Sequence, residues 1–172
     1  TQMVTKGLDV ANVGTVGVIW ADQQMAIPDF RAEERTFQLL TQVAGRAGRG
    51  DGHVGEVYVQ TFHPDHELIA LAAAQDAESF YVRELPRRKL LGYPPFTRLI
   101  QLAFSSELDK APMESAVAFT GYWKTCIAES RTLGKLLGPS PALIPRRAKR
   151  HYVNILIKTT NIRAAARAID SY

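Results

Sequence analysis

Gly14-Thr15-Val16-Gly17-Val18-Ile19-Trp20 is a short, almost uninterrupted apolar run that ends just before Asp22. Such a run suits a strand covered on both faces, as in a parallel sheet. Downstream, Phe30, Phe37, Leu40, Val43, Ala44 and Ala47 recur at helical spacing, while Arg31, Glu33, Glu34 and Arg35 fall mostly on other faces. That pattern predicts a helix over residues 29–47. Gly48, Gly50 and Gly52 break it, and residues 54–61 read as a second strand. Strand, helix, strand with short connections is the α/β pattern.

His63-Pro64 opens a different region. Residues 65–91 read as two helical segments, separated near Asp76 or bent at Pro86. Tyr93-Pro94-Pro95-Phe96 reads as a rigid extended linker, because each proline pushes its predecessor out of the helical region. A strand (98–105), a helix (110–131), a short strand (134–138), a Pro-rich turn, a basic loop (145–151), a strand (152–159) and a helix (161–171) follow. This β-α-β-β-α order resembles a split βαβ, ferredoxin-like α+β unit without its final strand. The expected organisation is therefore residues 1–63, a helical linker over 64–97, and a C-terminal domain over 98–172.

The 172 residues, 46% of them hydrophobic, suffice for one large or two small cores. One cysteine, Cys126, excludes a disulfide framework and a thiolate zinc cluster. No apolar run is long enough to cross a membrane. The chain starts at Thr1-Gln2-Met3 and stops within a helical pattern at Tyr172, as expected of a piece of a longer protein. A cytoplasmic monomer is the expectation. The net charge of +4 is uneven: residues 1–63 hold 5 Lys/Arg against 7 Asp/Glu, leaving 16 against 10 for residues 64–172. A polyanion would meet the second half, although a solvated basic surface explains the excess equally well.

Three groups of residues carry chemistry. Gln42-Val43-Ala44-Gly45-Arg46-Ala47-Gly48-Arg49 sets two arginines three positions apart, each after a glycine. On a helix both guanidinium groups reach one point, and their planar forks suit phosphate oxygens. They also fit a plain helix C-terminus, where cations oppose the macrodipole. Lys6-Gly7-Leu8-Asp9 offers a cation, a backbone N–H and a carboxylate before a strand, or simply a tight loop with a capping Asp. Arg146-Arg147-Ala148-Lys149-Arg150 places four cations in five positions, beside Tyr152. Such a loop contacts phosphates while the ring stacks on a base; the alternative is a solvated tip with Tyr152 in the core.

In chain order, the Lys6-Gly7-Leu8-Asp9 group with Thr1-Gln2-Met3 and then the Gln42–Arg49 group resemble motifs V and VI of superfamily 2 helicases. Thr1-Gln2-Met3, Lys6-Gly7, Asp22, Asp29-Phe30-Arg31-Ala32, Glu34-Arg35, Gln42-Val43, Gly45-Arg46-Ala47-Gly48-Arg49, Gly55-Glu56-Val57, Gln60-Thr61, His63-Pro64, Tyr93-Pro94-Pro95-Phe96, Leu137-Gly138-Pro139 and Ile155-Leu156-Ile157-Lys158 narrow it. Across essentially its whole length the chain is similar to the PriA family (primosomal protein N′), bacterial replication-restart DNA helicases.

The resemblance implies the last part of a second RecA-like lobe, followed by a C-terminal domain, in a 3′→5′ DNA helicase driven by ATP hydrolysis. Arg46 and Arg49 would be catalytic, approaching the γ-phosphate, with Gln42, Gly7 and Asp9 at the nucleotide. Leu8-Asp9-Val10 departs from a family pattern that often has His or an aromatic there. Thr1, Gln2 and Lys6 would touch the DNA backbone, as would Arg146, Arg147, Lys149, Arg150 and Tyr152. ATP and Mg²⁺ would be bound mostly by upstream residues, where a zinc-binding segment is also expected; no metal is expected here. Implied partners are branched and single-stranded DNA, the single-stranded-DNA-binding protein and other primosome proteins. The competing readings are a non-catalytic nucleic-acid-binding or adaptor module and an RNA helicase.

Other residues are expected to be structural. Trp20 and Trp123 read as core and Cys126 as a small buried hydrophobe. Glu33 and Glu34 read as exposed partners of Arg31 and Arg35. His63, His66 and His151 are too scattered for a metal site. Arg87, Arg88 and Lys89 either extend the basic surface or form an exposed helix face.

Overall fold

The computed structural model describes residues 13–45, 47, 55–129 and 133–172. The chain forms two compact units, Thr1–Leu85 and Pro86–Tyr172. No helix among the described residues is long and apolar enough to cross a membrane.

In the first unit, β1 (Thr15–Val18) and β2 (Glu56–Val59) pair in parallel, with Val16 opposite Val57 and Val18 opposite Val59. Parallel pairing across an intervening helix is the α/β arrangement expected from the sequence. The strands are not sealed on both faces, because alternate residues of each remain exposed. A short helix that the apolar pattern did not signal, α1 (Asp22–Met25), follows β1. Helix α2 spans Ala32–Ala44 and buries Phe37, Leu40 and Val43, the predicted apolar face. It starts three residues later than predicted because Asp29 organises its entry. The Asp29 carboxylate accepts from the Arg31 backbone N–H at 2.9 Å and from its Nε at 3.1 Å. It also faces Arg35 at 3.2 Å.

Helices α3 (Glu67–Ala73) and α4 (Ala77–Leu91) part at Gln75, whose φ is +54°, next to Asp76. The break thus falls near Asp76; Pro86 lies inside α4 without ending it. Leu68, Ala72 and Phe80 form one core with Phe37 and Leu40. There the Phe37 and Phe80 rings stack at 4.4 Å. Residues 64–85 therefore belong to the first unit and supply Leu68, Ala72 and Phe80 to its core. Asp29 engages Arg31 and Arg35. Glu33 meets Arg83 at 2.7 Å, and Glu34 accepts from the Tyr81 hydroxyl at 3.3 Å. These links to α4 are about fifty residues apart in sequence, beyond the reach of a local pairing rule.

Asp29 gives this unit a pH signature. The Arg31 hydrogen bond, aided by the charges of Arg31 and Arg35, holds its carboxyl below the ordinary value of 3.8 despite partial burial. Its contribution is complete above that value and disappears as pH falls through the lower folded value. Asp29→Asn should flatten the acid limb of a thermal-stability curve; an unchanged limb would show that Asp29 contributes nothing there.

The second unit is a three-stranded antiparallel sheet with two helices on one face. Its strands are β3 (Arg98–Ser106), β4 (Lys135–Arg147) and β5 (Arg150–Thr159), in the order β3-β5-β4. Because β5 is antiparallel to both neighbours, β3 and β4 run parallel with β5 inserted between them. This is the split β-α-β order predicted. Helix α5 (Ala111–Glu129) supplies Ala116, Phe119 and Trp123 to the core, and α6 (Ile162–Asp170) supplies Ala165. They meet Val153, Ile155 and Ile157, alternate residues of β5. Half-buried Cys126 packs against this core.

Two loops differ from expectation. Tyr93-Pro94-Pro95-Phe96 is a tight turn, closed by the Phe96 N–H on the Tyr93 carbonyl at 3.1 Å, with a cis Pro94–Pro95 peptide. The predicted Pro-rich turn and much of the basic loop belong to β4, which continues to Arg147 through two register shifts. Prolines are tolerated there because β4 is an edge strand, with one side free of partner strands.

Candidate nucleic-acid interface

Thr1, Gln2, Lys6, Gly7, Asp9, Arg46 and Arg49 lie outside the described residues. Gln42 lies exposed in the last turn of α2, directly before that segment.

At the C-terminal ends of β1 and β2, a cavity of about 420 Å³ is lined by Ile19, Trp20, Asp22, Gln60, Thr61 and Phe62. Trp20 is not core: it is 53% exposed, at a left-handed φ of +55°. An apolar residue ending a strand need not turn inward, and this one stands at the rim. Burial opposes the charge of Asp22. Hydrogen bonds from the Phe62 N–H at 3.0 Å and the Thr61 hydroxyl at 2.8 Å outweigh that effect, lowering its pKa. Among the described residues, the lining contains no cation.

In the second unit, the five predicted DNA-contacting residues come together on one hairpin. The basic loop is a two-residue turn: Ala148 and Lys149 have φ of +50° and +63°, with Arg147 opposite Arg150. Two-residue hairpins favour positive φ at both positions, usually supplied by Asn or Gly. Here the left-handed conformations cost on the order of 1 kcal/mol each. Arg146, Arg147, Lys149 and Arg150 are all exposed. Arg150 donates from Nη2 to the Ser105 carbonyl at 3.0 Å and lies 3.3 Å from the Ser105 hydroxyl, fastening the hairpin to β3. The Arg147 guanidinium lies 5.8 Å from the centre of the Tyr152 ring.

Tyr152 is half-buried and does not enter the core, since Val153, Ile155 and Ile157 form the inward face of β5. Neighbouring His151 turns to Asp109, with Nδ1 2.9 Å from the carboxylate. Sequence reasoning missed the roles of Ser105 and Asp109, whose partners Arg150 and His151 lie more than forty residues away in sequence. Arg88 does not extend the surface, being 8% exposed. His66 caps α3, its ring nitrogen accepting from the Leu68 N–H at 3.2 Å.

Residues 89–172, which contain the whole hairpin and sheet, match the family described as the primosomal protein N C-terminal domain. Proteins named replication restart protein PriA are similar over nearly the entire chain. That of Bacillus subtilis is 42% identical over 92% of this chain and 19% of its own length. That of Synechocystis sp. is 39% identical over 92% of this chain and 18% of its own length. The chain belongs to the PriA family. The Treponema pallidum member is 35% identical across 100% of this chain, yet only 26% of its own length is covered. The chain thus spans about a fifth to a quarter of the PriA relatives it matches.

Proposed function

We propose that the chain belongs to an ATP-dependent 3′→5′ DNA helicase that restarts stalled replication forks and assembles the primosome. Similarity to replication restart proteins over nearly the whole chain carries this reading. The strand–helix–strand unit would be part of a second RecA-like lobe. Arg46 and Arg49, beside Gln42, would reach the γ-phosphate of an ATP whose phosphate loop and Mg²⁺-binding carboxylates belong to the upstream lobe. Their fixed charge and fork geometry suit the charge that spreads over a transferred phosphoryl group. Gly7 and Asp9 would adjoin the nucleotide, while Thr1, Gln2 and Lys6 couple it to the DNA backbone. The full-length protein should unwind a DNA fork in an ATP-dependent reaction and leave a matched RNA fork paired. Preference for RNA would transfer the chain to the RNA-helicase reading.

Arg146, Arg147, Lys149, Arg150 and Tyr152 would hold branched or single-stranded DNA. Opposed arginines on a strained turn make poor structural sense and good sense as an anion contact. Reversing Arg146, Arg147 and Arg150 to Glu should lower affinity for forked DNA and flatten its salt dependence by about one unit of slope per lost phosphate contact. Fluorescence anisotropy across a salt series checks this; an unchanged slope would remove the hairpin from the interface. This surface also supports the adaptor reading, in which the chain binds nucleic acid without catalysis.

A further inference from the structure

We infer that the whole open face of the β3-β5-β4 sheet, beyond the hairpin, is a platform for single-stranded DNA. The inference rests on the DNA-handling reading above and specifies the form of DNA held. Directly opposed residues share a sheet face, so the register assigns this one. With α5 and α6 on the other side, Tyr152, Asn154, Leu156 and Lys158 of β5 share the open face with Gln101 and Ser105 of β3.

Charge decides what this face suits. Lys135, Arg147, Arg150 and Lys158 lie on this face, and the three strands contain no Asp or Glu. Moreover, like charges oppose each other at both ends: Arg147 faces Arg150, and Lys135 faces Lys158. Such cross-strand pairs destabilise a sheet, so their repetition on one face points to an anion that neutralises them.

An aromatic ring accompanies a cation at each end. Arg147 lies over Tyr152, and the Lys158 ammonium sits 3.4 Å from the centre of the Tyr93 ring while donating to the Leu91 carbonyl at 2.8 Å. From Tyr152 to Lys158 the strand covers about 20 Å. A sheet platform of that size stacks two or three bases, with basic side chains following the phosphates. Asn154 and exposed Gln101 and Ser140 supply hydrogen-bonding groups between the ends. Duplex DNA presents no unstacked base to these rings, which favours the single strand.

The test uses the 172-residue chain with labelled oligothymidylate and a duplex of equal length, read by fluorescence anisotropy. Gln101→Glu combined with Ser140→Glu puts two carboxylates mid-face, away from the hairpin, at exposed positions. The pair should weaken single-strand binding about tenfold or more without changing the thermal midpoint. Tyr152→Ala should weaken it to a similar degree, in the range expected for one lost base stack. Single-strand affinity within twofold of the unaltered chain in the mid-face variant, alongside loss in the Arg146/Arg147/Arg150 reversal, would overturn the platform while leaving hairpin binding intact. Equal losses on single strand and duplex would overturn the single-strand preference. No binding by the unaltered chain to either DNA at low salt would overturn both the platform and the DNA-handling reading.

Discussion

Arg46→Ala in the full-length protein should reduce DNA-stimulated ATP turnover by about three to five orders of magnitude. The magnitude follows from what an arginine finger does. Phosphoryl transfer spreads negative charge over the transferred group, and catalysis consists mainly of positioning and offsetting that charge. A guanidinium held near the γ-phosphate acts most strongly in the transition state, so its removal lowers kcat far more than it raises KM. DNA affinity without nucleotide should remain within a few-fold of the original, because the hairpin and open sheet face lie in the other compact unit. Arg46→Lys should rescue little, since a point charge does not reproduce the planar fork. Turnover within tenfold of the original in Arg46→Ala would remove this arginine from the chemistry.

Trp123→Ala should be among the most destabilising substitutions in the second unit, costing about 3–5 kcal/mol. Trp123 is fully buried, and its ring stacks on Phe119 at 5.9 Å inside the cluster that includes Ile155 and Ile157. Deletion leaves a large cavity beneath the β5 strand that carries Tyr152. For a unit of this size, such a loss lowers the thermal midpoint by on the order of 20 °C. The indole N–H of Trp123 is buried without a hydrogen-bond partner among the described residues. Trp123→Phe removes that unsatisfied donor while retaining a ring, so it should cost much less than the alanine change. Trp20→Ala, at an exposed rim, should fall within about 0.5 kcal/mol of the original. Comparable melting shifts for Trp20→Ala and Trp123→Ala would contradict this division between rim and core.

Those two tryptophans also show which features the sequence expressed. Periodicity located α2, α5 and α6, because each buries one regular face, and the succession of elements resembled the split βαβ unit whose sheet has β5 between β3 and β4. Periodicity cannot say whether an apolar residue ending a strand turns inward, and Trp20 does not. Local rules also do not reach distant partners: Arg83 and Tyr81 meet Glu33 and Glu34, while Asp29 holds Arg31 and Arg35. The turn at Ala148-Lys149 was hidden because neither residue is a usual choice for positive φ. Prolines near it suggested a loop, whereas an edge strand accommodates them. The cluster of cations was legible as a run of letters. Its alignment with Lys135 and Lys158 across one face required the register.

The most direct test compares DNA-stimulated ATP hydrolysis by this 172-residue chain with that of the full-length protein, under identical conditions. The account expects robust turnover from the full-length protein and none above background from the chain, which would supply arginines to a nucleotide held by another lobe. Robust, DNA-stimulated hydrolysis by the chain alone would contradict it.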